Sequence, residues 1–348
     1  MSELILHTEN LAIGYAPPRR PRTVVAEGLS VALRAGELVC LIGPNGVGKS
    51  TLIRTLAGMQ PPLAGRVRLM GDEVHALEAR ELAKRLSLVL TERVSVGLLS
   101  AYALVALGRY PYTGWDGRLS ARDEAVVRWA IAAVGAVELA GRNVDELSDG
   151  ERQKIMIARA LAQEPALMLL DEPTAYLDLP RRVEIMRLLR QLARTTGRAF
   201  LLSTHDLDLA LRSADRIWLM GGGGIQVGAP EDLVLSGAFE AAFGGEGVVF
   251  DRGSGSFRIN ERPAGQVALA GDGVEALWTR RALEREGFGI AEDGGPSLAQ
   301  VEVVGTNGDV RWRVTRDGAT AEHHSVYDLM GSLKQGGQDD GPEDPGRR

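Results

Sequence analysis

A single cysteine, Cys40, stands in a chain of 348 residues. No disulfide can close within one such chain, which fits a reducing compartment such as the cytoplasm. Cys40 sits inside the apolar run Leu38–Ile42 and reads as a small buried hydrophobe rather than a reactive thiol. Positive charge is not in excess: 40 Lys and Arg face 46 Asp and Glu, for a formal net charge of −6. A nucleic-acid binder is more often basic, so that class is set aside. Long hydrophobic runs are also missing, since none approaches the ~20 residues that span a bilayer. Any role at a membrane therefore needs a partner that supplies the pore. The start, Met1-Ser-Glu-Leu-Ile-Leu-His7, has no basic stretch followed by a long apolar one and is not expected to be a signal peptide. Internal repeats and heptads are lacking too.

What is present is a 45% apolar chain, enough for a substantial core. Its length suits one large domain plus a smaller one. Leu11, Ile13 and Tyr15 alternate as in a strand, and Val31 and Leu33 alternate after the loop Pro17–Arg22. Leu38–Ile42 reads as a buried strand and Lys49–Ala57 as a helix closed by Gly58. Ser120-Ala-Arg-Asp123 and Ser148-Asp-Gly-Glu151 both look like capping boxes opening helices, the second running through Gln163. Ala166–Leu170 and Ala199–Leu202 are short apolar runs typical of buried parallel strands. Strands alternating with helices predict an α/β core with ligands at the strand C-terminal ends. Gly221–Gly224 is expected to be a tight turn between strands. Beyond Phe250 the pattern changes to short strands (Gln266–Ala270, Val301–Val304, Val310–Val314) and helices (Val274–Glu286, Ser325–Leu333), a small α+β domain. The expected division is 3–245, 250–334, and a Gly/Asp/Pro-rich tail, 335–348, expected to be disordered.

The segment Gly43-Pro44-Asn45-Gly46-Val47-Gly48-Lys49-Ser50, followed by Thr51, matches the phosphate-loop pattern between a strand and a helix. Glycines let the backbone wrap a phosphate and aim N–H groups at it, and the helix N-terminus adds partial positive charge. Lys49 would reach the β- and γ-phosphates of a bound nucleotide, and Ser50 would bind Mg²⁺. This motif alone does not separate kinases, GTPases, motors and transporters. The strand from Ala166 ends in Asp171-Glu172-Pro173. Asp171 is placed to hold Mg²⁺ and Glu172 to polarise an attacking water, because the metal neutralises phosphate charge while a base orients the nucleophile.

Leu147-Ser148-Asp149-Gly150-Glu151-Arg152-Gln153 lies just upstream and resembles the signature of the ABC ATPases, with Asp149 where a glycine is usual. The resemblance covers about residues 3–245. It implies a P-loop NTPase core with antiparallel β and helical subdomains, and a head-to-tail dimer in which Ser148, Asp149, Gly150 and Glu151 cover the ATP held by the other copy. It further implies that Tyr15 stacks on adenine, that Asp178 is the acid communicating between the two sites, and that His205 contacts the γ-phosphate. One departure stands out. Where the family usually has a glutamine that senses the metal, the matching stretch Ser87–Arg93 has Glu92. A carboxylate can still ligate Mg²⁺, and Glu92 is taken to keep the sensing role.

The stretch Ala101–Trp115, with Gly108-Arg109-Tyr110-Pro111, resembles importer ATPases for iron(III)-siderophores, haem and cobalamin, closest to the iron-siderophore group. Its Arg and aromatic residues are either an exposed interface or local core. The resemblance implies integral membrane permease subunits as partners, an extracytoplasmic substrate-binding protein acting indirectly, and a peripheral position on the cytoplasmic face of the cell membrane. Soluble ABC ATPases of DNA repair or translation fit less well, because there is no coiled-coil insertion and only one Gly-Lys-Ser loop. A non-catalytic subunit would have lost Lys49 or Glu172. The domain after Phe250 reads as a ligand sensor, an extra dimer contact or a docking surface, with restraint of the ATPase as its expected effect. His323 and His324, on opposite faces if extended, are not expected to bind metal.

Overall fold

The computed structural model describes residues 3–18, 21–90, 97–244, 248–259, 263, 265–291, 295–305 and 310–335. The chain divides into two compact units, Met1–Arg258 and Ile259–Arg348.

The first unit starts with β1 (Leu4–Tyr15), β2 (Thr23–Leu29) and β3 (Ala32–Arg34), followed by β4 (Leu38–Ile42) and α1 (Lys49–Leu56). Then come β5 (Ala64–Leu69), β6 (Asp72–Glu73), α2 (Ala79–Arg85) and β7 (Leu86–Val89). Strands β2, β1, β5 and β6 form an antiparallel sheet in that order, with β3 also on β1. Helices α3 (Ala101–Ala106), α4 (Ala121–Ala133) and α5 (Asp149–Ala162) follow, then β8 (Leu167–Leu170), α6 (Leu179–Thr196), β9 (Ala199–Ser203) and α7 (Leu207–Ser213). Both expected capping boxes are formed, at Ser120 with Asp123 and at Ser148 with Glu151. Each satisfies N-terminal donors of its helix, which fixes where α4 and α5 begin.

A second sheet, ordered β11-β10-β4-β9-β8-β7, includes β10 (Arg216–Gly221) and β11 (Gly224–Gly228). Strands β10, β4, β9, β8 and β7 are parallel, and β11 turns back on β10 through Gly222 and Gly223, both at positive φ. Glycine is favoured at both positions because the turn demands left-handed backbone twice. Both faces of this sheet are covered, which explains its continuous apolar strands. Leu38, Cys40, Ile42, Met168, Leu170, Phe200 and Leu202 join the core with α3, α4, α5 and α6. Val39, Leu41, Leu167, Leu169, Leu201 and Trp218 pack toward α1 and the antiparallel sheet. The two-residue period of the strand thus divides each run between two cores. Burial raises the pKa of the Cys40 thiol, and the nearby Asp215 carboxylate adds to the rise. The thiol therefore stays protonated and inert.

The first unit closes with α8 (Pro230–Leu235), α9 (Ala238–Phe243) and a hairpin of β12 (Val248–Asp251) and β13 (Ser256–Ile259). The division between the units, at Arg258 and Ile259, thus leaves nearly all of this hairpin with the first unit. The reason is aromatic packing. Phe250 stacks on Phe239 at 5.1 Å, and Phe257 meets Phe243 at 5.0 Å and Phe250 at 5.3 Å. Phe250 is 3% exposed and part of the first unit's core.

The second unit holds β14 (Gly265–Ala270), α10 (Gly273–Arg285), β15 (Phe288–Ile290), β16 (Ala299–Val304), β17 (Arg311–Arg316), β18 (Ala319–His323) and α11 (Val326–Gln335). Its sheet runs β15-β14-β16-β17-β18, with β14 parallel to β15 and β16 and the rest antiparallel. Val267, Leu283, Val301, Trp312, Leu329 and Leu333 make its core. Trp312 donates its indole N–H to Thr279 Oγ1 at 2.7 Å, so the buried ring leaves no polar atom unmet. This is the expected α+β domain. His323 falls on its edge strand, and no metal-holding cluster of His, Cys, Asp and Glu exists among the described residues. The expected tail from 336 onward lies outside the described residues.

Candidate active site

The loop Gly43–Gly48 joins the end of β4 to α1, the junction of a parallel strand and the helix that packs on it. Gly46 and Gly48 take φ of 76° and 111°, which an L side chain rarely adopts. A Cβ at Gly43 would come within 2.4 Å of Met220 O, so close approach of β10 also demands glycine there. Lys49 opens α1 and folds back over this loop, donating to Gly43 O at 2.8 Å and Pro44 O at 3.1 Å. It is 6% exposed. Burial lowers its pKa, while the Glu172 and Asp171 carboxylates act to raise it. A buried cation with two carboxylates near it is poised for an anion that brings more charge than they do.

Strands β8 and β9 are neighbours, so their C-terminal ends bring the acids together with residues from β9. Ser203, fully buried at the end of β9, donates to Asp171 Oδ1 at 2.7 Å and accepts the N–H of Glu172 at 2.9 Å. Ser50 of α1 donates to the same Asp171 oxygen at 3.3 Å. Glu172 has a φ of 50°, a strained value for a non-glycine residue that costs on the order of 1–3 kcal/mol. Ser203 holds that strained peptide in place. His205 Nε2 contacts Glu172 Oε1. A cleft of about 190 Å³ opens beside the pair, lined by Glu172, Thr174, Ala175, Arg182, His205 and Asp206 among others.

Tyr15 ends β1 and remains 47% exposed, its hydroxyl 3.0 Å from Thr51 Oγ1. Lys49, Ser50, Asp171, Glu172 and His205 therefore form one cluster with Ser203, and Tyr15 is tied to α1 through Thr51. The remaining expected residues lie elsewhere in the unit. Ser148 caps α5, its hydroxyl and N–H both donating to Glu151 Oε2, at 2.8 and 2.9 Å. Asp149 is exposed, and Gly150 is buried. Asp178 caps α6 by accepting from the Arg181 N–H at 3.0 Å. Glu92 lies outside the described residues.

Residues 26–175 match the ABC transporter family, and residues 264–334 match the iron ABC transporter C-terminal domain. An ABC transporter ATP-binding protein of Methanocaldococcus jannaschii is 47% identical over 216 residues, 62% of this chain and 73% of that one. The ferric enterobactin transport ATP-binding protein of Escherichia coli is 38% identical over 247 residues, 71% of this chain and 89% of that one. The chain belongs to the family of ABC transporter ATP-binding proteins. Members of that family are ATPases that bind ATP. A solved dimeric ATP-binding cassette in a post-hydrolysis state, bound to ADP and phosphate, is 26% identical and covers 65% of this chain and 99% of that one, with a TM-score of 0.56.

One feature of this ABC ATPase settles an alternative that the sequence left open, and another escaped the sequence reading. Arg109 is no interface residue: it is 1% exposed and pairs with Asp123 at 2.9 Å and Glu164 at 2.8 Å, and it donates to Ala162 O at 2.7 Å. Its guanidinium lies 3.9 Å from the Tyr112 ring centre. It thus ties the segment to α4 and to the end of α5, while Tyr110 and Trp115, 78% and 102% exposed, remain outside. Ser203 was missed. The only signal was its place two residues before His205 on an apolar strand, and a buried serine there has nothing in the local pattern to mark it.

Proposed function

We propose that this ABC ATPase energises import of iron(III)-siderophore complexes. The observation that carries the reading is the pairing of the cassette with residues 264–334, which match the iron ABC transporter C-terminal domain. Similarity to the ferric enterobactin ATP-binding protein supports it.

In this reading the loop Gly43–Gly48 and Thr51 surround the phosphates of ATP, Lys49 reaches the β- and γ-phosphates, and Tyr15 stacks on adenine. Ser50 and Asp171 offer converging oxygens, the hard donors Mg²⁺ prefers, with Glu92 assigned to the same role. When bound, Mg²⁺ neutralises charge on the β- and γ-phosphates. Glu172 takes the proton of the attacking water as its oxygen bonds to the γ-phosphorus and the bond to the ADP oxygen breaks. His205 orients the Glu172 carboxylate and faces the γ-phosphate. Two copies close head-to-tail, so that Ser148, Asp149, Gly150 and Glu151 of each cover the other's ATP, with Asp178 at the junction. That a related cassette is dimeric with ADP and phosphate bound supports the pairing of two copies.

No described helix is long and apolar enough to cross a membrane. The pore is assigned to permease subunits, with this chain held against them on the cytoplasmic side and a substrate-binding protein delivering cargo from the far side. The exposed Tyr110 and Trp115 suit a docking surface, being amphipathic aromatics of the kind enriched at interfaces. Co-purification of the tagged chain from membranes should recover the permease, and reconstituted vesicles should take up an iron(III)-siderophore with ATP. Uptake of haem or cobalamin in its place would overturn the assigned cargo.

A further inference from the structure

The N-terminal end of α5 and the first turn of α6 are joined by a closed ring of contacts. The Glu184 carboxylate on α6 accepts from Lys154 Nζ at 2.5 Å through one oxygen and from Arg181 Nη1 at 2.7 Å through the other. The aliphatic stem of Arg181 lies on Gly150, where an added Cβ would stand 3.3 Å from Arg181 Cδ. Lys154 is one helical turn beyond Gly150, on the same face. The backbone of Arg181 in turn donates to Asp178. One carboxylate therefore connects the signature loop to the acid that starts α6.

This ring stands at the edge of an open groove of about 520 Å³ lined by Val134, Lys154, Val183, Glu184, Arg187 and Leu188 among others. Lys154 and Glu184, two members of the ring, line it. Hydrogen bonds from Lys154 and Arg181 hold the Glu184 carboxyl below the usual glutamate range, so it is charged at neutral pH. As stability elements such half-exposed pairs are weak, typically ~0–1 kcal/mol. Their value is in geometry.

We propose that Glu184 is a positioning residue, which through Arg181 and Lys154 sets the attitude in which Ser148–Gly150 meets the ATP of a second copy. The inference rests on the head-to-tail reading given above. Loss of Glu184 frees the Arg181 stem from Gly150 and lets the signature loop turn with its helix. Nucleotide binding at the phosphate loop of one copy is then untouched, while closure of the pair is weakened.

The test uses the full chain in the Glu172→Gln background, with ATP-dependent dimer formation followed by light scattering. Glu184→Ala and Arg181→Ala should each weaken dimerisation about tenfold, with ATP affinity of the single copy and thermal midpoint nearly unchanged. Because the two residues act through one ring, the double variant should be no worse than either single one. Unchanged dimerisation in Glu184→Ala, a loss that follows the thermal midpoint, or multiplicative losses in the double variant would overturn the proposal. Ser148→Arg separates the two readings. It should abolish dimerisation, and if it dimerises like its parent the head-to-tail arrangement itself fails and the positioning role falls with it.

Discussion

Ser203 gives its proton to Asp171 at 2.7 Å and takes the N–H of Glu172 at 2.9 Å, so one buried hydroxyl joins the two acids of the site. Ser203→Ala leaves the Glu172 amide without its acceptor and Asp171 without this donor. Losing such a buried partner costs ~1–3 kcal/mol, which corresponds to a fall in kcat of about 10- to 100-fold with a much smaller change in KM. Steady-state ATPase kinetics decide it, and a variant with wild-type kcat rules out the bridging role.

Glu172→Gln keeps the shape of the site but removes the proton acceptor. Turnover should drop by ~10²–10⁴-fold, while ATP still binds and the closed pair persists. Equilibrium nucleotide binding and gel filtration with ATP report both. A Glu172→Gln variant turning over at the wild-type rate would exclude Glu172 as the base.

Tyr15 presents its ring to solvent and its hydroxyl to Thr51. Stacking on a base contributes ~1–3 kcal/mol, so Tyr15→Ala should raise KM for ATP about tenfold or more. Tyr15→Phe keeps the ring and should stay within about threefold of wild type, since only one part-buried hydrogen bond is lost. Equal effects of the two substitutions would place the contribution in the hydroxyl instead.

Asp123 and Arg109 give a pH-dependent stability. Burial pushes the Asp123 carboxyl upward, but the Ser120 hydroxyl and N–H and the Arg109 guanidinium outweigh it and hold it below the usual range. A carboxylate with a lowered folded pKa contributes stability above its unfolded value of ~3.9, and that contribution is lost as pH falls through the folded value. Asp123→Asn should therefore be less stable than wild type at neutral pH, with the gap closing as pH falls below about 4. Urea unfolding at a series of pH values measures this, and a gap that is constant with pH would assign the loss to packing alone.

Much of the site was legible in local pattern. The phosphate loop, the acids ending an apolar strand and the serine that opens a helix each depend on residues a few positions apart, where backbone geometry and capping act. Composition changes near Phe250, whereas the hairpin packs back through Phe239 and Phe243, partners that composition does not report. Local pattern left Arg109 open between interface and core for the same reason. Its acidic partners are 14 and 55 residues away.

The sequence by itself determined the local elements: a glycine loop between strand and helix, two acids ending an apolar strand and a serine-capped helix start, each written in a short run of residues. Only the tertiary structure decided how they meet. Parallel pairing of β8 with β9 sets Asp171 and Glu172 beside Ser203 and His205, and the α5–α6 contact sets Arg181 over Gly150. Those relationships come from strand order and helix packing, which depend on the whole chain reaching its lowest free energy and are encoded in no single segment.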